Sequence, residues 1–186
     1  MMQLVWPQRE HLASYVAALE AGWSPDHLRG QAATDDELRR IAADAPVFLA
    51  SKVNREASGT PIILPDGSAV SRLPGFQRWL WDGEFCGVIN LRWQPGTETL
   101  PVHCLGHVGY AVVPWKRGRG YATAALAQTL PLARAEGLRY VEITTDPDNF
   151  ASRRVIEANG GVLFEHFVRP VQLGGKPGVR YRIALG

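Results

Sequence analysis

Apolar positions change their spacing several times along this chain, and each change marks an element. Gln3–Trp6 reads as a short strand. Over Arg9–Trp23 the residues Leu12, Tyr15, Val16 and Leu19 recur at helical spacing. Thr34, followed by Glu37, has the form of a capping box and predicts a second helix over Asp35–Ala43. Asn54–Gly75 holds Gly59, Pro61, Pro65, Gly67, Pro74 and Gly75, which predicts a long surface loop. Phe76–Trp81 and Phe85–Trp93 read as strands meeting across Asp82-Gly83, a strong hairpin signal. Val108–Val113 continues the sheet. Tyr121–Glu136 is the main helix, closed by Gly137, with Pro131 expected to kink or split it. Tyr140–Ile143, within Leu138–Thr145, reads as a strand ending at Asp146-Pro147. Asp148 or Asn149 then caps a short helix, Ala151–Asn159, ended by Gly160-Gly161. Val162–Arg169 and Val179–Leu185 alternate as two closing strands. The order predicts an α/β (α+β) fold with a mixed, mostly antiparallel sheet rather than repeated parallel crossovers.

Composition narrows the class. A chain of 186 residues, 46% apolar and 20% charged, is long enough for one substantial core, and residues 1–186 are expected to form a single domain. A formal charge of +2 is too small for a nucleic-acid surface. No apolar run approaches membrane-spanning length, and the N-terminus lacks a signal-peptide pattern. Cys86 and Cys104 sit among apolar neighbours and read as reduced thiols, which suits a cytoplasmic protein.

The chemistry concentrates in Tyr110–Ala122. A short apolar strand runs into Pro114-Trp115-Lys116-Arg117-Gly118-Arg119-Gly120-Tyr121-Ala122, and a helix follows at once. Glycines let successive N–H groups turn towards one spot, and a helix start adds unpaired amides and the positive end of its dipole. Lys116, Arg117 and Arg119 add formal charge. Such a turn is suited to a phosphorylated ligand, and charge-assisted hydrogen bonds are worth about 1.5–3 kcal/mol each. A dinucleotide fingerprint is excluded, because its third glycine would stand where Thr123 is found.

Two separated motifs resemble one family. Arg117-x-x-Gly120-x-Ala122 matches the element that binds the coenzyme A pyrophosphate in the GNAT superfamily of N-acetyltransferases. Asn149-x-x-Ser152 and Val155-Ile156-Glu157-Ala158-Asn159-Gly160-Gly161 are similar to that superfamily's next helix and its glycine exit. His107-Val108-Gly109-Tyr110 with Pro114 looks like a bacterial subgroup of acetyltransferases. The resemblance implies a twisted sheet of six to seven strands with about four helices. It implies that the strand before the loop splays from Tyr140–Thr145, so that Tyr110–Val113, chiefly Val112 and Val113, offers a backbone edge to pantetheine. Arg117, Gly118, Arg119, Gly120, Tyr121 and Ala122 would hold the diphosphate, Asn149 the pantetheine arm and Ser152 a phosphate oxygen, with Arg153 or Arg154 near the nucleotide. Asn149 and Ser152 serve equally as a helix cap.

The activity so implied is acetyl-CoA-dependent N-acetyl transfer to a primary amine of a small molecule or peptide, by direct attack on the thioester. The alternative is a non-catalytic acyl-CoA-binding regulatory module on the same fold, supported by Ile156, which stands where many members carry a thiolate-protonating tyrosine. His107, Glu84 and Glu142 are the candidate bases, His107 foremost for its ordinary pKa near neutrality, and Tyr110 is a candidate acid. A metal is not expected: His103, Cys104 and His107 lie on one extended segment, with its ends about 13 Å apart. The acceptor site is expected from the N-terminal helices, the Asn54–Gly75 loop and the closing strands, with Trp23, Phe76, Trp79 and Trp81 as aromatic candidates. A monomer or homodimer without nucleic-acid or membrane partners completes the expectation.

Overall fold

The computed structural model describes residues 1–64 and 66–186. Every strand expected from the alternating runs is present and in the anticipated order, but a short helix and three two-residue strands are added between the second helix and the central hairpin. The chain runs β1 (Gln3–Val5), α1 (Arg9–Glu20), α2 (Gln31–Ala43), α3 (Ala45–Ala50), β2 (Val53–Asn54), β3 (Ile62–Ile63), β4 (Ala69–Val70), β5 (Gly75–Trp81) and β6 (Phe85–Arg92). It continues with β7 (Val108–Val112), α4 (Tyr121–Ala135), β8 (Tyr140–Thr145), α5 (Phe150–Glu157), β9 (Val162–Val168) and β10 (Pro177–Ala184). One sheet has the order β1-β5-β6-β7, with β2 also on β5. A second has the order β8-β10-β9, and β3 pairs with β4. Among the described residues no helix is long and apolar enough to cross a membrane.

The chain divides into two compact units, each drawn from three separated segments. The first contains Met1–Val53, Gln77–Ile89 and Tyr110–Ala125. Its core is aromatic because α1 presents Tyr15 and Leu19 on one face and Trp23 follows just beyond its end, where Phe48, Trp79, Phe85, Val88 and Val113 meet them. Tyr15 stacks on Trp79 at 4.3 Å between centroids, and Phe85 closes on both rings edge-on. Trp23 and Trp79 are therefore core residues, as helix–sheet packing requires.

The capping box does not form. The second helix starts four residues early, at Gln31, with Gly30 as an N-cap that contributes no side chain. Thr34 is buried inside it and donates to the Trp23 carbonyl at 3.2 Å. Glu37 accepts from the Tyr15 hydroxyl and from Lys52 Nζ, the latter at 2.7 Å. Tertiary partners have taken both members of the box. Burial lowers the Lys52 pKa and raises that of Tyr15, and in each case Glu37 contributes as the neighbouring charge.

The helix α3 was not expected. Asp44 caps it by accepting from the Val47 amide at 2.9 Å, and Pro46 stands in its first turn, where no N–H is needed. The Asn54–Gly75 stretch also holds the small β3–β4 ladder; Pro65, expected in this loop, lies outside the described residues. Pro131 does not split α4, which runs unbroken through it. Both Pro131 and Ala127 are exposed, so the carbonyl that loses its partner faces water.

The second unit contains Asn54–Phe76, Asn90–Gly109 and Leu126–Gly186. Its sheet is antiparallel, with Val141, Ile143 and Thr145 of β8 opposite Ile183, Tyr181 and Val179 of β10. These six are buried, while Glu142, Arg180 and Arg182 on the other face form an ion-pair row, Arg182 to Glu142 at 2.7 Å. A bulge in the β9–β10 pairing falls between Arg180 and Tyr181.

Gly87 fixes how β6 meets β7 in the first unit. Its φ is +152°, and a Cβ there would land on the Ala111 carbonyl oxygen and 2.9 Å from Val112 Cα. Replacing Gly87 with alanine is expected to lower the unfolding free energy by about 3 kcal/mol. The reading is a shift of the urea midpoint at unchanged slope. A midpoint equal to the parent's would mean that β7 yields without cost.

Candidate functional site

β7 lies at the end of its sheet order, so one of its edges is open. Val113 donates its N–H to the Cys86 carbonyl at 2.9 Å and so belongs to the ladder with β6. Backbone groups alternate along a strand, which turns the N–H and C=O of Val112 to the other edge. The Val112 carbonyl accepts from Arg117 Nε at 3.2 Å. Of the two valines expected to offer an edge, Val112 presents its main chain outward and Val113 inward.

Beyond Val113 a single 3-10 turn, Pro114–Lys116, reverses the chain. Gly118 and Gly120 then both adopt φ +75°, a conformation that costs other residues roughly 1–2 kcal/mol. The first main-chain bond of α4 runs from the Ala124 amide to the Gly120 carbonyl at 3.0 Å. Among the described residues, the amides of Gly118, Arg119, Gly120, Tyr121 and Ala122 meet no main-chain acceptor. A Cβ at Gly118 or Gly120 would have nothing within 4 Å. Successive amides without a main-chain acceptor at a helix start are an arrangement that suits an anion.

The charges are distributed differently from the sequence expectation. Lys116 is buried and faces away from the loop, its Nζ 2.6 Å from Asp82 Oδ1 and 3.2 Å from Glu84 Oε2. The other Asp82 oxygen accepts from the Tyr121 hydroxyl at 2.7 Å. Burial opposes ionisation of Asp82, yet hydrogen bonds from Lys116, Tyr121 and Cys86 outweigh it and hold the carboxyl well below the usual carboxylate range. Burial likewise works against the Lys116 charge, and its two carboxylate partners raise its pKa in spite of that. Donation to Asp82 raises the Tyr121 phenol, and Arg119 at its hydroxyl pulls the other way. Arg117 and Arg119, both exposed, remain as the positive charge beside the amides. Asp82 was legible only as a turn residue; its position between the loop's two ends has no signal in the sequence.

In the second unit the remaining candidates have structural partners. Asn149 caps α5, its Oδ1 accepting from the Ser152 amide at 3.1 Å. Arg153 donates from Nε to the Tyr181 hydroxyl at 2.8 Å and from its terminal nitrogen to the Pro147 carbonyl at 3.0 Å, while Arg154 is exposed. Ile156 is fully buried, as a side chain of its class should be. His107 is fully buried too. Its amide donates to the Glu142 carbonyl at 2.8 Å, and its Nδ1 accepts from the Glu142 amide at 2.9 Å. The ring proton therefore sits on Nε2, which meets no acceptor in ideal hydrogen-bond geometry but lies near the Glu98 backbone, whose interaction favours the protonated ring. Burial lowers the His107 pKa against the pull of the nearby Glu142 carboxylate. Held in this way the ring is a neutral strut with no lone pair to spare for proton abstraction. Tyr110 is half-buried on β7.

A family model described as "Acetyltransferase (GNAT) domain" matches residues 7–162. Among solved structures, the microcin C7 self-immunity acetyltransferase MccE, in complex with acetyl-CoA and AMP, is 13% identical, with a TM-score of 0.62 over 98% of this chain and 92% of its own. The acetyltransferase that modifies the N-terminal serine of ribosomal protein L7/L12 in Salmonella typhimurium is 15% identical, with a TM-score of 0.61 over 98% and 94%. A spermidine N-acetyltransferase chimera of Vibrio cholerae SpeG and hSSAT is 13% identical, with a TM-score of 0.60 over 99% and 95%. At these identities the likeness is one of fold. No curated protein sequence matches significantly.

The His107 geometry has a pH consequence. An unfolded chain protonates this ring near its ordinary value of 6.5, and the folded one only at lower pH. Stability from this group is thus complete above about pH 6.5 and is lost as pH falls below it, by at most about 1.4 kcal/mol per pH unit. Thermal midpoints measured between pH 7 and 5 should decline, and His107→Gln, which keeps an acceptor for the Glu142 amide, should flatten the decline. An unchanged slope in that variant would assign the titration elsewhere.

Proposed function

This chain belongs to the GNAT acetyltransferase family, and from that premise we propose that it transfers the acetyl group of acetyl-CoA directly to a primary amine of a small molecule or peptide. The observation that carries the reading is the run of open amides from Gly118 to Ala122, set by two positive-φ glycines in front of α4. Those amides suit a diphosphate, and the outward main chain of Val112 suits an extended amide-bearing arm laid along the β7 edge. The same edge supplies an N–H for the oxyanion of the tetrahedral intermediate. Residues 1–186 act as one domain in this reading, because neither compact unit is a continuous segment. Two free thiols accord with a cytoplasmic setting.

The acceptor nitrogen attacks the thioester carbon, loses a proton, and expels the CoA thiolate. His107 offers no basic lone pair, Glu142 is tied to Arg180 and Arg182 and Glu84 to Lys116, so in this reading the burden of deprotonation falls on the amine itself. An α-amine is neutral in roughly a tenth to a third of molecules at pH 7–7.5, and a lysine-type amine in about one in a thousand. Weakly basic primary amines are therefore the favoured class. Folds similar to this one include enzymes whose acceptors are a protein N-terminus and a polyamine, so both belong in the test panel. The second reading, a CoA-binding module without turnover, is favoured by Ile156, a buried side chain with no proton to give the thiolate.

Acetyl-CoA consumption over a panel of peptide α-amines, polyamines and lysine derivatives, with CoA affinity measured in parallel, separates the two. Turnover fastest for the amines of lowest pKa supports the first; tight CoA binding with no turnover supports the second. Replacing Gly120 with valine should weaken CoA by about 30-fold, the loss of about 2 kcal/mol of amide contacts. Stability should fall by only about 1–2 kcal/mol, since the new side chain meets strain and no clash. Unchanged CoA affinity in that variant would remove the loop from the binding site.

A further inference from the structure

The loop that would grip the coenzyme has little packing of its own. Arg117, Gly118, Arg119 and Gly120 are all exposed, and both glycines face empty space. Arg117 contacts Val112 and Arg119 contacts Tyr121, residues from the loop's own flanks. An open loop bounded by two flexible glycines ought to sample many directions, and each ordered residue costs conformational entropy on binding. What holds it is a carboxylate from a different element. Lys116, the residue before the loop, places Nζ 2.6 Å from Asp82 Oδ1, and Tyr121, the residue after it, places its hydroxyl 2.7 Å from Asp82 Oδ2.

We propose that Asp82 is a positioning residue for coenzyme binding: from the β5–β6 turn it clamps both ends of the Arg117–Gly120 loop and so aims the amides before ligand arrives. The inference rests on the reading of this loop as the coenzyme site, and it adds the residue that presets it. One carboxylate sharing its two oxygens between the loop's ends fixes the distance between them. Asp82 and Lys116 are both largely shielded, so this pair resists screening, whereas Glu84, the second partner of Lys116, is 74% exposed and contributes less. Asp82 also has turn duties of its own, its amide donating to the Glu84 carbonyl at 3.2 Å and its Oδ1 accepting from the Glu84 amide at 3.3 Å. Asparagine meets those turn duties equally well. Asp82→Asn therefore removes the clamp's charge and leaves the hairpin.

The test compares the parent with Asp82→Asn, Tyr121→Phe and the double variant. CoA is titrated calorimetrically, KM for acetyl-CoA and kcat are measured at saturating amine, and amide hydrogen exchange is followed without ligand. Asp82→Asn should raise the CoA Kd and the acetyl-CoA KM about tenfold, with kcat at saturation held within about twofold. Tyr121→Phe should raise Kd about threefold. The double variant should fall short of the product of the two, because both act through one carboxylate. Exchange at Gly118–Ala122 should speed up in Asp82→Asn while the β5–β6 ladder stays protected. An unchanged Kd in Asp82→Asn, or a loss confined to kcat and thermal midpoint, would overturn the clamp. Failure of the parent itself to bind CoA would overturn the function proposed above, and the exchange measurement would still judge the clamp: faster loop amides uphold it, unchanged ones reject it.

Discussion

Among the described residues the amides of Tyr121 and Ala122, the first two of α4, meet no main-chain acceptor, and Gly118 and Gly120 turn the backbone ahead of them at φ +75°. A helix start always leaves donors unpaired. Here the preceding residues add more in the same place, immediately after a strand whose outer edge is open. The arrangement is stable only because the rest of the first unit holds both sides of it. Val113 is tied to Cys86 in the ladder, Gly87 lets the two strands approach, and the Tyr15–Trp79–Phe85 cluster lies beneath. In the proposed function the chemistry of this loop is chiefly main-chain chemistry, so it depends more on backbone direction than on side-chain identity.

Where the charges go follows from burial. Sequence places Lys116, Arg117 and Arg119 side by side, and it is natural to assign all three to an anion. A lysine carried under the turn must find a carboxylate, and Lys116 finds Asp82. Only the two arginines stay outside. The electrostatics of this loop are thus a pair of exposed guanidiniums beside an array of fixed dipoles, with an internal ion pair as its footing.

Local features of the fold were legible in the sequence. The β7–loop–α4 passage, the Asp82-Gly83 hairpin and the alternating closing strands depend on neighbours in the chain, so residue types and spacing suffice. What was illegible depends on distant partners. Thr34 and Glu37 have the spacing of a cap, but Trp23, Tyr15 and Lys52 claim them instead. Pro131 breaks a hydrogen-bond ladder in principle, yet an exposed carbonyl has water to turn to. His107 has the pKa of a base in isolation, and becomes a strut once the Glu142 amide is known to occupy Nδ1. Asp82 is the same lesson in the opposite direction, a residue that looked like punctuation and joins the two flanks of the glycine loop.

The trio of Tyr15, Glu37 and Lys52 has a further implication for how such a chain changes over generations. Each member is shielded from water and each satisfies another, so losing any single one strands a polar or charged group, commonly at a cost of about 3–5 kcal/mol for an ion pair. Exchanging all three together for apolar residues of matching volume carries no such penalty. Drift at these positions is therefore blocked one step at a time and open only to concerted replacement, a ratchet that preserves the network in descendants whether or not it adds net stability.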